Sequence, residues 1–213
     1  MLNPLSPDTD DCQGAGPDAG FARRGAGDHP IVGLVREHDV IRLGLDAIAT
    51  ESLRIQRSFE VRLGFWMPAL EWLELFVDRD HHAREEEVLF VWLQGAGMPM
   101  DRGPLAQVAK EHERARAVRG RMVQAVAIYD VRGLAEAAQE YSDRLRQHME
   151  DEERLLFPLA MECLDAVALG ELVIRLAGHR DQIGGAIRER ADWLQRELLA
   201  GEPSGEDGGP AVP

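Results

Sequence analysis

Two short motifs, each present twice and in alternating order, constrain the fold of this chain more than any other feature. Glu-His-x-x-x-Arg occurs at residues 37–42 and 111–116, and His-x-x-x-Glu-Glu-x-x-Leu-Phe occurs at residues 81–90 and 148–157. The motif histidines are 43 residues apart in the first half and 36 apart in the second. A duplicated helical hairpin explains this order more simply than chance does. Each hairpin would supply one lone histidine and one His/Glu pair.

The segments around these motifs carry apolar residues at helical spacing. The first predicted helix begins with Asp28 as its N-cap and Pro30 in its first turn. Further helices are predicted at about 67–94, from 103 onward, and at about 132–163, with a fifth at roughly 169–199. Strand-like alternation of useful length is missing from the sequence. It therefore predicts an all-α fold, an up-down-up-down four-helix bundle with an additional C-terminal helix.

Composition sets the predicted domain boundaries and excludes several kinds of partner. We expect one helical domain at residues 29–199, with disordered tails at 1–28 and 200–213 that have too few apolar groups to offset their ordering entropy. With 24 basic and 38 acidic residues, the net charge is −14. Nucleic acid and anionic membrane surfaces are therefore poor partners, because both are bound through clustered Lys and Arg.

The compartment is predicted from features that the sequence lacks. The N-terminus has neither the basic region nor the apolar stretch of a signal peptide, and no apolar run is long enough to span a membrane. The two cysteines, Cys12 and Cys163, provide neither a disulfide framework nor a thiolate metal site. We therefore expect a cytoplasmic protein.

The polar motif residues fall on or beside the apolar stripes of their helices, which predicts that they face the core. A histidine and a glutamate four residues apart share one helix face, so each such pair can converge with its counterpart from another helix. A buried ionised carboxylate without a partner is costly, and bound cations would offset that cost. The predicted metal ligands are His38, His81, Glu85, His112, His148 and Glu152.

The choice between neighbouring residues in the second helix stays open. His82 with Glu86 is the alternative to His81 with Glu85. His81 is favoured because it lies on the apolar stripe. Its spacing to Phe90 also equals the spacing of His148 to Phe157.

The acidic and basic neighbours of the lone histidines are assigned more ordinary roles. Glu37 and Glu111 are expected to be exposed helix carboxylates, with contact to the adjacent ligands as the alternative. Arg42 and Arg116 are expected to be surface ion-pair partners. Among metals, the combination of imidazole and carboxylate donors without thiolate suits iron, with manganese and zinc as alternatives.

Taken together, the motifs resemble the hemerythrin-like, or HHE cation-binding, family over about residues 29–163. The phrases that carry the resemblance are VREH at 35–38, HHAREEEVLF at 81–90, KEH at 110–112, and HMEDEE at 148–153 followed by LFP. The resemblance implies a four-helix bundle with a non-haem centre of two iron ions, bridged by oxide or hydroxide. It implies that the terminal ligands are His38, His81, His112 and His148. It also implies that Glu85 and Glu152 are the bridging carboxylates.

Two departures separate this chain from the oxygen-carrying members of that family. The carriers have His-x-x-x-His on the third helix, whereas here the residue four positions after His112 is Arg116. The carriers also have an aspartate on the fourth helix where this chain has Glu152. Four histidines and two glutamates are more similar to reactive members, which are implicated in nitric oxide handling, iron–sulfur repair, or iron and oxygen sensing.

The function implied by the resemblance is binding or reduction of a small oxidant. The expected partner is dioxygen, nitric oxide or peroxide, and a protein partner or a second copy of the chain is also considered. The alternative is an iron- or oxygen-responsive sensor or binding module without turnover. Whether the protein is an enzyme is left open at this point.

Overall fold

A computed structural model describes residues 30–200 of the chain, and these residues form six helices and no strands. The expected Asp28 cap, Cys12 and the predicted tails, apart from Ala200, lie outside the described residues. The helices in chain order are α1 (Pro30–Ser58), α2 (63–95), α3 (Gly103–Ala127), α4 (131–163), α5 (Ala166–Gln182) and α6 (Gly185–Ala200).

Helices α2 and α4 are continuous but change their hydrogen-bonding pattern at the His/Glu motifs. In α2, π-helical turns occupy Leu73–His82 and Glu85–Leu89, and in α4 they occupy Glu152–Leu156. π-Helical turns hydrogen-bond i to i+5 and occur frequently at functional sites. Here they overlap both copies of the second motif and include both of its predicted glutamate ligands, which marks these stretches as specialised parts of the bundle.

Helices α1 to α4 form the predicted antiparallel bundle, with α4 packed against both α1 and α3. The all-α prediction and the additional C-terminal helical segment are confirmed. That segment is divided into α5 and α6 at Gly184, whose φ of +93° is a conformation that L side chains rarely adopt. Helix α5 lies against α1 and the Glu85–Leu89 turn, whereas α6 packs on α2.

The core consists of two apolar clusters that sit above and below the motif residues. One cluster contains Ile41, Leu45, Trp72, Val77 and Leu145, and the other contains Leu34, Val88, Leu105, Leu156 and Phe157. In each of the four bundle helices, one cluster takes its residues mainly from before the first motif histidine and the other takes its residues mainly from after it. The fold therefore places a polar layer between two apolar ones. Over residues 30–200, none of the helices has the length and apolar character needed to cross a bilayer.

Candidate metal centre

All six predicted ligands lie in this polar layer and are inaccessible to solvent. His38, His81, Glu85, His112 and Glu152 have no exposed surface, and His148 is 2% exposed. The neighbour of His81, His82, is also fully buried. Burial of five imidazoles and two carboxylates together is unusual for a protein core, because each buried polar group needs a polar partner.

These seven side chains form two adjacent groups of donors that share one carboxylate. All the ligand atoms within a group lie within 4.8 Å of one another. The common member is Glu85, which could bridge two ions. The first group is His38, His81, Glu85 and Glu152, and the second is His82, Glu85, His112 and His148.

The two glutamates each reach imidazole nitrogens from different helices. Glu85 places Oε1 3.4 Å from His81 Nε2 and Oε2 3.4 Å from His112 Nε2. Glu152 Oε2 lies 3.2 Å from His38 Nε2 and 3.5 Å from His148 Nε2. Two donors that each bind one ion at about 2.1 Å lie about 3.0–4.2 Å apart, so these separations suit shared cations.

The donor atoms that face the middle of the layer lack hydrogen-bond partners within the described part of the chain. They include both carboxylate oxygens of Glu85 and of Glu152, and Nε2 of His38, His81 and His82. The Nε2 atoms of His112 and His148 face each other at 3.1 Å. A buried polar atom without a partner is destabilising, and a metal ion is the group that would satisfy these donors together. The residues present therefore fit a metal pair.

Burial and neighbouring charges shift the pKa values of these groups in different directions. Burial, and next the charge of Glu152, raises the pKa of Glu85 well above its usual range. Burial opposes ionisation of Glu152 too, but His148 and His38 outweigh it and lower the pKa of that carboxyl. Burial lowers the pKa of His112 well below its usual range, which favours the neutral imidazole that binds metals.

A second layer of carboxylates fixes the outer nitrogen of four histidines, and each carboxylate comes from the preceding helix around the bundle. We call this arrangement the carboxylate ring. The four Nδ1-to-oxygen distances are 2.9 Å for His81 with Glu37, 2.7 Å for His112 with Glu86, 3.3 Å for His148 with Glu111 and 2.7 Å for His38 with Glu153. Nδ1–H donates to the carboxylate in each case, so Nε2 is left free to accept a metal.

The expectation that Glu37 and Glu111 are exposed is therefore wrong. Glu37 is 8% exposed and Glu111 is partly buried, because both side chains turn toward a histidine of the next helix. The ion pairs expected for the motif arginines are present, at 2.8 Å for Arg42 with Glu153 and 2.9 Å for Arg116 with Glu86. Each of these arginines thus steadies a carboxylate of the ring.

His82 is the donor that the predicted ligand set lacks. Its Nδ1 lies 3.4 Å from Asp78 Oδ1, and the other oxygen of Asp78 accepts a hydrogen bond from Arg119 at 2.8 Å. Because a π-helical turn holds more residues than an α-helical one, the neighbours His81 and His82 can both face inward. From the sequence these two histidines were predicted as alternatives, whereas the structure places one in each donor group.

A helical bundle that buries two adjoining sets of imidazole and carboxylate donors belongs to the class of helical-bundle metal-binding proteins. A family model described as the Hemerythrin HHE cation binding domain matches residues 29–160, which is more than half of the chain. The chain belongs to this family. Searches among curated proteins and among solved structures each gave no match. Helices α5 and α6 lie beyond the matched residues.

Proposed function

We propose that the chain holds a pair of iron ions and uses them to bind or reduce a small oxidant such as dioxygen, nitric oxide or peroxide. The observation that carries this proposal is the pair of donor groups that share Glu85. One group offers two imidazoles and two carboxylates, and the other offers three imidazoles and one carboxylate. A single ion cannot engage all seven donors, so the arrangement favours two ions at neighbouring positions.

Iron is the metal that these donors suit best within this fold. Imidazole and carboxylate donors without thiolate favour iron, manganese or zinc over copper(I) or an iron–sulfur cluster. Helical bundles that combine inward-facing glutamates with Glu/His motifs on facing helices hold di-iron or di-manganese centres. Cys163, the cysteine that the structure describes, lines a surface groove with Trp92 and Leu164 and takes no part in the donor groups.

Open coordination supports the assignment to small-oxidant chemistry. Five imidazoles and two carboxylates would not fill the coordination positions of two six-coordinate ions even if both carboxylates bridged, so an exogenous ligand could bind. A ferrous pair, when bound, would supply the electrons that reduce such a ligand. The chain itself holds the imidazoles in the tautomer with a free Nε2 through the carboxylate ring.

Aromatic side chains next to the donors restrict what can reach the centre. Phe157 stacks on His38 with ring centroids 5.6 Å apart, and Phe90 stacks on His112 at 5.8 Å. Both phenylalanines are at most 2% exposed and belong to the apolar cluster on one side of the polar layer. A buried, apolar surround of this kind favours small uncharged molecules over bulky or charged substrates.

Metal content measured together with absorption spectra tests the proposal. Anaerobic loading with ferrous iron should give two irons per chain, and admission of air, nitric oxide or peroxide should then produce charge-transfer absorption in the near ultraviolet. Repeated consumption of the oxidant would indicate turnover, whereas a single spectral change would indicate binding or sensing. A chain that holds two irons but shows no spectral change with any of the three oxidants would contradict the proposal.

A variant pair ties the signal to the shared carboxylate. Glu85→Ala should lose at least one iron per chain, because its oxygens face donors of both groups. Glu87→Ala is the matched control, since Glu87 lies two residues away but is 68% exposed and pairs with His179 at the surface. Equal iron content in the two variants would argue against Glu85 as a ligand.

A further inference from the structure

Helix α5 reaches the outer layer of the metal centre although it lies beyond the residues matched by the family model. Arg180, close to the C-terminal end of α5, places Nη1 3.6 Å from Glu37 Oε1 and Nε 3.6 Å from Asp80 Oδ2. Glu37 is the ring carboxylate that accepts the hydrogen bond from His81. Arg180 of the C-terminal segment is therefore linked through Glu37 to the candidate metal ligand His81.

The acids that Arg180 contacts are buried and belong to one charge cluster. Arg84 donates to Glu37 Oε2 at 2.5 Å and to Asp80 Oδ1 at 2.8 Å, so it occupies one side of the two carboxylates. Arg180 approaches the remaining oxygen of each carboxylate. Glu37 is 8% exposed and Asp80 is 4% exposed. Two acids are thus balanced by two guanidinium groups only when Arg180 is in place.

The equivalent position in the second half of the repeat lacks this support. Glu111, the counterpart of Glu37, accepts from His148 at 3.3 Å and from Gln107 at 3.1 Å. Over residues 30–200 it has no arginine within ion-pair distance. The C-terminal segment therefore acts on one half of the centre and not on the other.

We propose that Arg180 is a positioning residue of the metal centre, which holds Glu37 in place and through it orients the imidazole of His81. In this proposal α5 is a working part of the cation site and not a passive addition to the bundle. The inference rests on the proposed function, since it takes His81 to be a metal ligand. It also explains why a partly exposed arginine, 42% accessible, points inward to two buried acids.

Ferrous iron affinity in full-length variants tests the proposal. Arg180→Ala should weaken binding of one of the two ions by about tenfold, the lower end of the 10–100-fold effect of residues that orient metal ligands. Arg180→Lys keeps the charge but cannot span both acids, so it should fall between the wild type and Arg180→Ala. Arg188→Ala is the control: it removes the 2.9 Å pair with Asp181 in the same C-terminal segment, and its iron affinity should equal that of the wild type.

Two further measurements separate positioning from general destabilisation. In the zinc-loaded protein, NMR should show a shifted or more rapidly exchanging Nδ1 proton for His81 in Arg180→Ala, with that of His148 unchanged. Glu37→Gln combined with Arg180→Ala should weaken iron binding no more than Glu37→Gln does alone, because both changes act through one carboxylate. Additive losses would contradict the proposal.

The outcomes also distinguish this inference from the proposed function. A wild-type chain that binds no metal pair would overturn the proposed function itself. A wild type that binds two ions, with Arg180→Ala indistinguishable from Arg188→Ala in affinity and in the His81 signal, would overturn only the role of Arg180. Since Arg180 is on the surface side of the cluster, both of its variants are expected to fold. Arg180→Lys then provides a second measurement of iron affinity in which the charge is retained.

Discussion

Glu153 and His38 lie 115 positions apart in sequence, yet Oε1 of the glutamate is 2.7 Å from Nδ1 of the imidazole. This contact joins the fourth bundle helix to the first. Arg42 of α1 donates to the same oxygen at 2.8 Å, so two side chains of α1 hold this carboxylate. The pair shows how the layer outside the donors connects helices that are distant in the chain.

Removal of this carboxylate should weaken metal binding without removing a ligand. Glu153→Ala is expected to lower the affinity for one ion by about 10–100-fold, because the His38 ring loses the acceptor that fixes its orientation. Glu153→Gln should recover part of the loss, since an amide oxygen can still accept. Glu150→Ala, an exposed glutamate on the same helix, is the control, and metal competition titrations with all three variants give the comparison.

His82 should be needed for only one of the two ions. His82→Ala removes a donor from the group that contains His112 and His148, and leaves intact the group that contains His38 and His81. Elemental analysis after dialysis should therefore show about one tightly held iron per chain. His179→Ala, which affects a histidine paired with Glu87 outside the donor groups, should retain two. Two irons in both variants would exclude His82 as a ligand.

Packing between the first two helices should depend on a missing side chain at Gly44. A Cβ atom there would overlap Cη2 and Cζ3 of Trp72, whose ring is fully buried. Gly44→Ala should therefore lower the free energy of unfolding by about 1–3 kcal/mol, as overpacked core substitutions do. Urea denaturation measures the change.

The same substitution about three turns earlier in α1 should have the opposite sign. Gly33 also lies inside α1, but a Cβ atom there would meet nothing within 4 Å. Gly33→Ala should raise the free energy of unfolding by about 0.5–1 kcal/mol, because it removes the entropic cost of a helical glycine. If both variants were destabilised alike, the Trp72 contact would not be the cause.

Glu51 should make the stability of the metal-free protein depend on pH. Burial opposes its ionisation, but hydrogen bonds from Arg54 and Arg62 outweigh burial and lower its pKa. A lowered pKa in the folded state gives stability that is present above the unfolded pKa, about 4.5, and is lost as the pH falls through the folded value. The contribution of Glu51 is therefore present at neutral pH and fades in acid.

Glu51→Gln measures that contribution. With its two arginines about one third exposed, the loss at neutral pH should be about 1–2 kcal/mol, below the cost of breaking a fully buried pair. The difference from the wild type should shrink when urea unfolding is repeated below pH 4. Glu136→Gln removes an exposed pair with Arg132 and should change little at either pH. A difference that does not vary with pH would show that charge is not the origin of the effect.

The fold was predictable because the helices repeat apolar residues with a constant period, and because the two motifs recur in the same order. That recurrence was also enough to bring His38, Glu85 and Glu152 to attention as inward-facing residues. The structure brings all six predicted side chains into the two donor groups. That they bind metal stays a prediction until ions are measured.

The carboxylate ring was missed although a signal for it exists in the sequence. The glutamate before each lone histidine and the second glutamate of each Glu-Glu pair also recur in both halves. An isolated helix presents these residues away from its own apolar stripe, so single-helix reasoning assigns them to solvent. Only the position of the neighbouring helix shows that Glu37 or Glu86 faces an imidazole.

His82 and Arg180 had no such signal. The residue equivalent to His82 in the second motif is Met149, so the repeat does not point to it, and its inward direction depends on a π-helical turn that composition does not indicate. Arg180 belongs to a segment outside the repeat, and its role depends on where α5 docks. Both residues follow from tertiary structure and not from periodicity.

The ring has a consequence for how the protein matures. Its last link joins residue 153 to residue 38, so the donors cannot all be oriented until nearly the whole bundle has left the ribosome and α4 has docked beside α1. A nascent chain that has completed only the first hairpin offers three of the five imidazoles and none of the contacts from α4. Iron should therefore be acquired after synthesis, by a finished bundle, and not captured stepwise as the helices emerge.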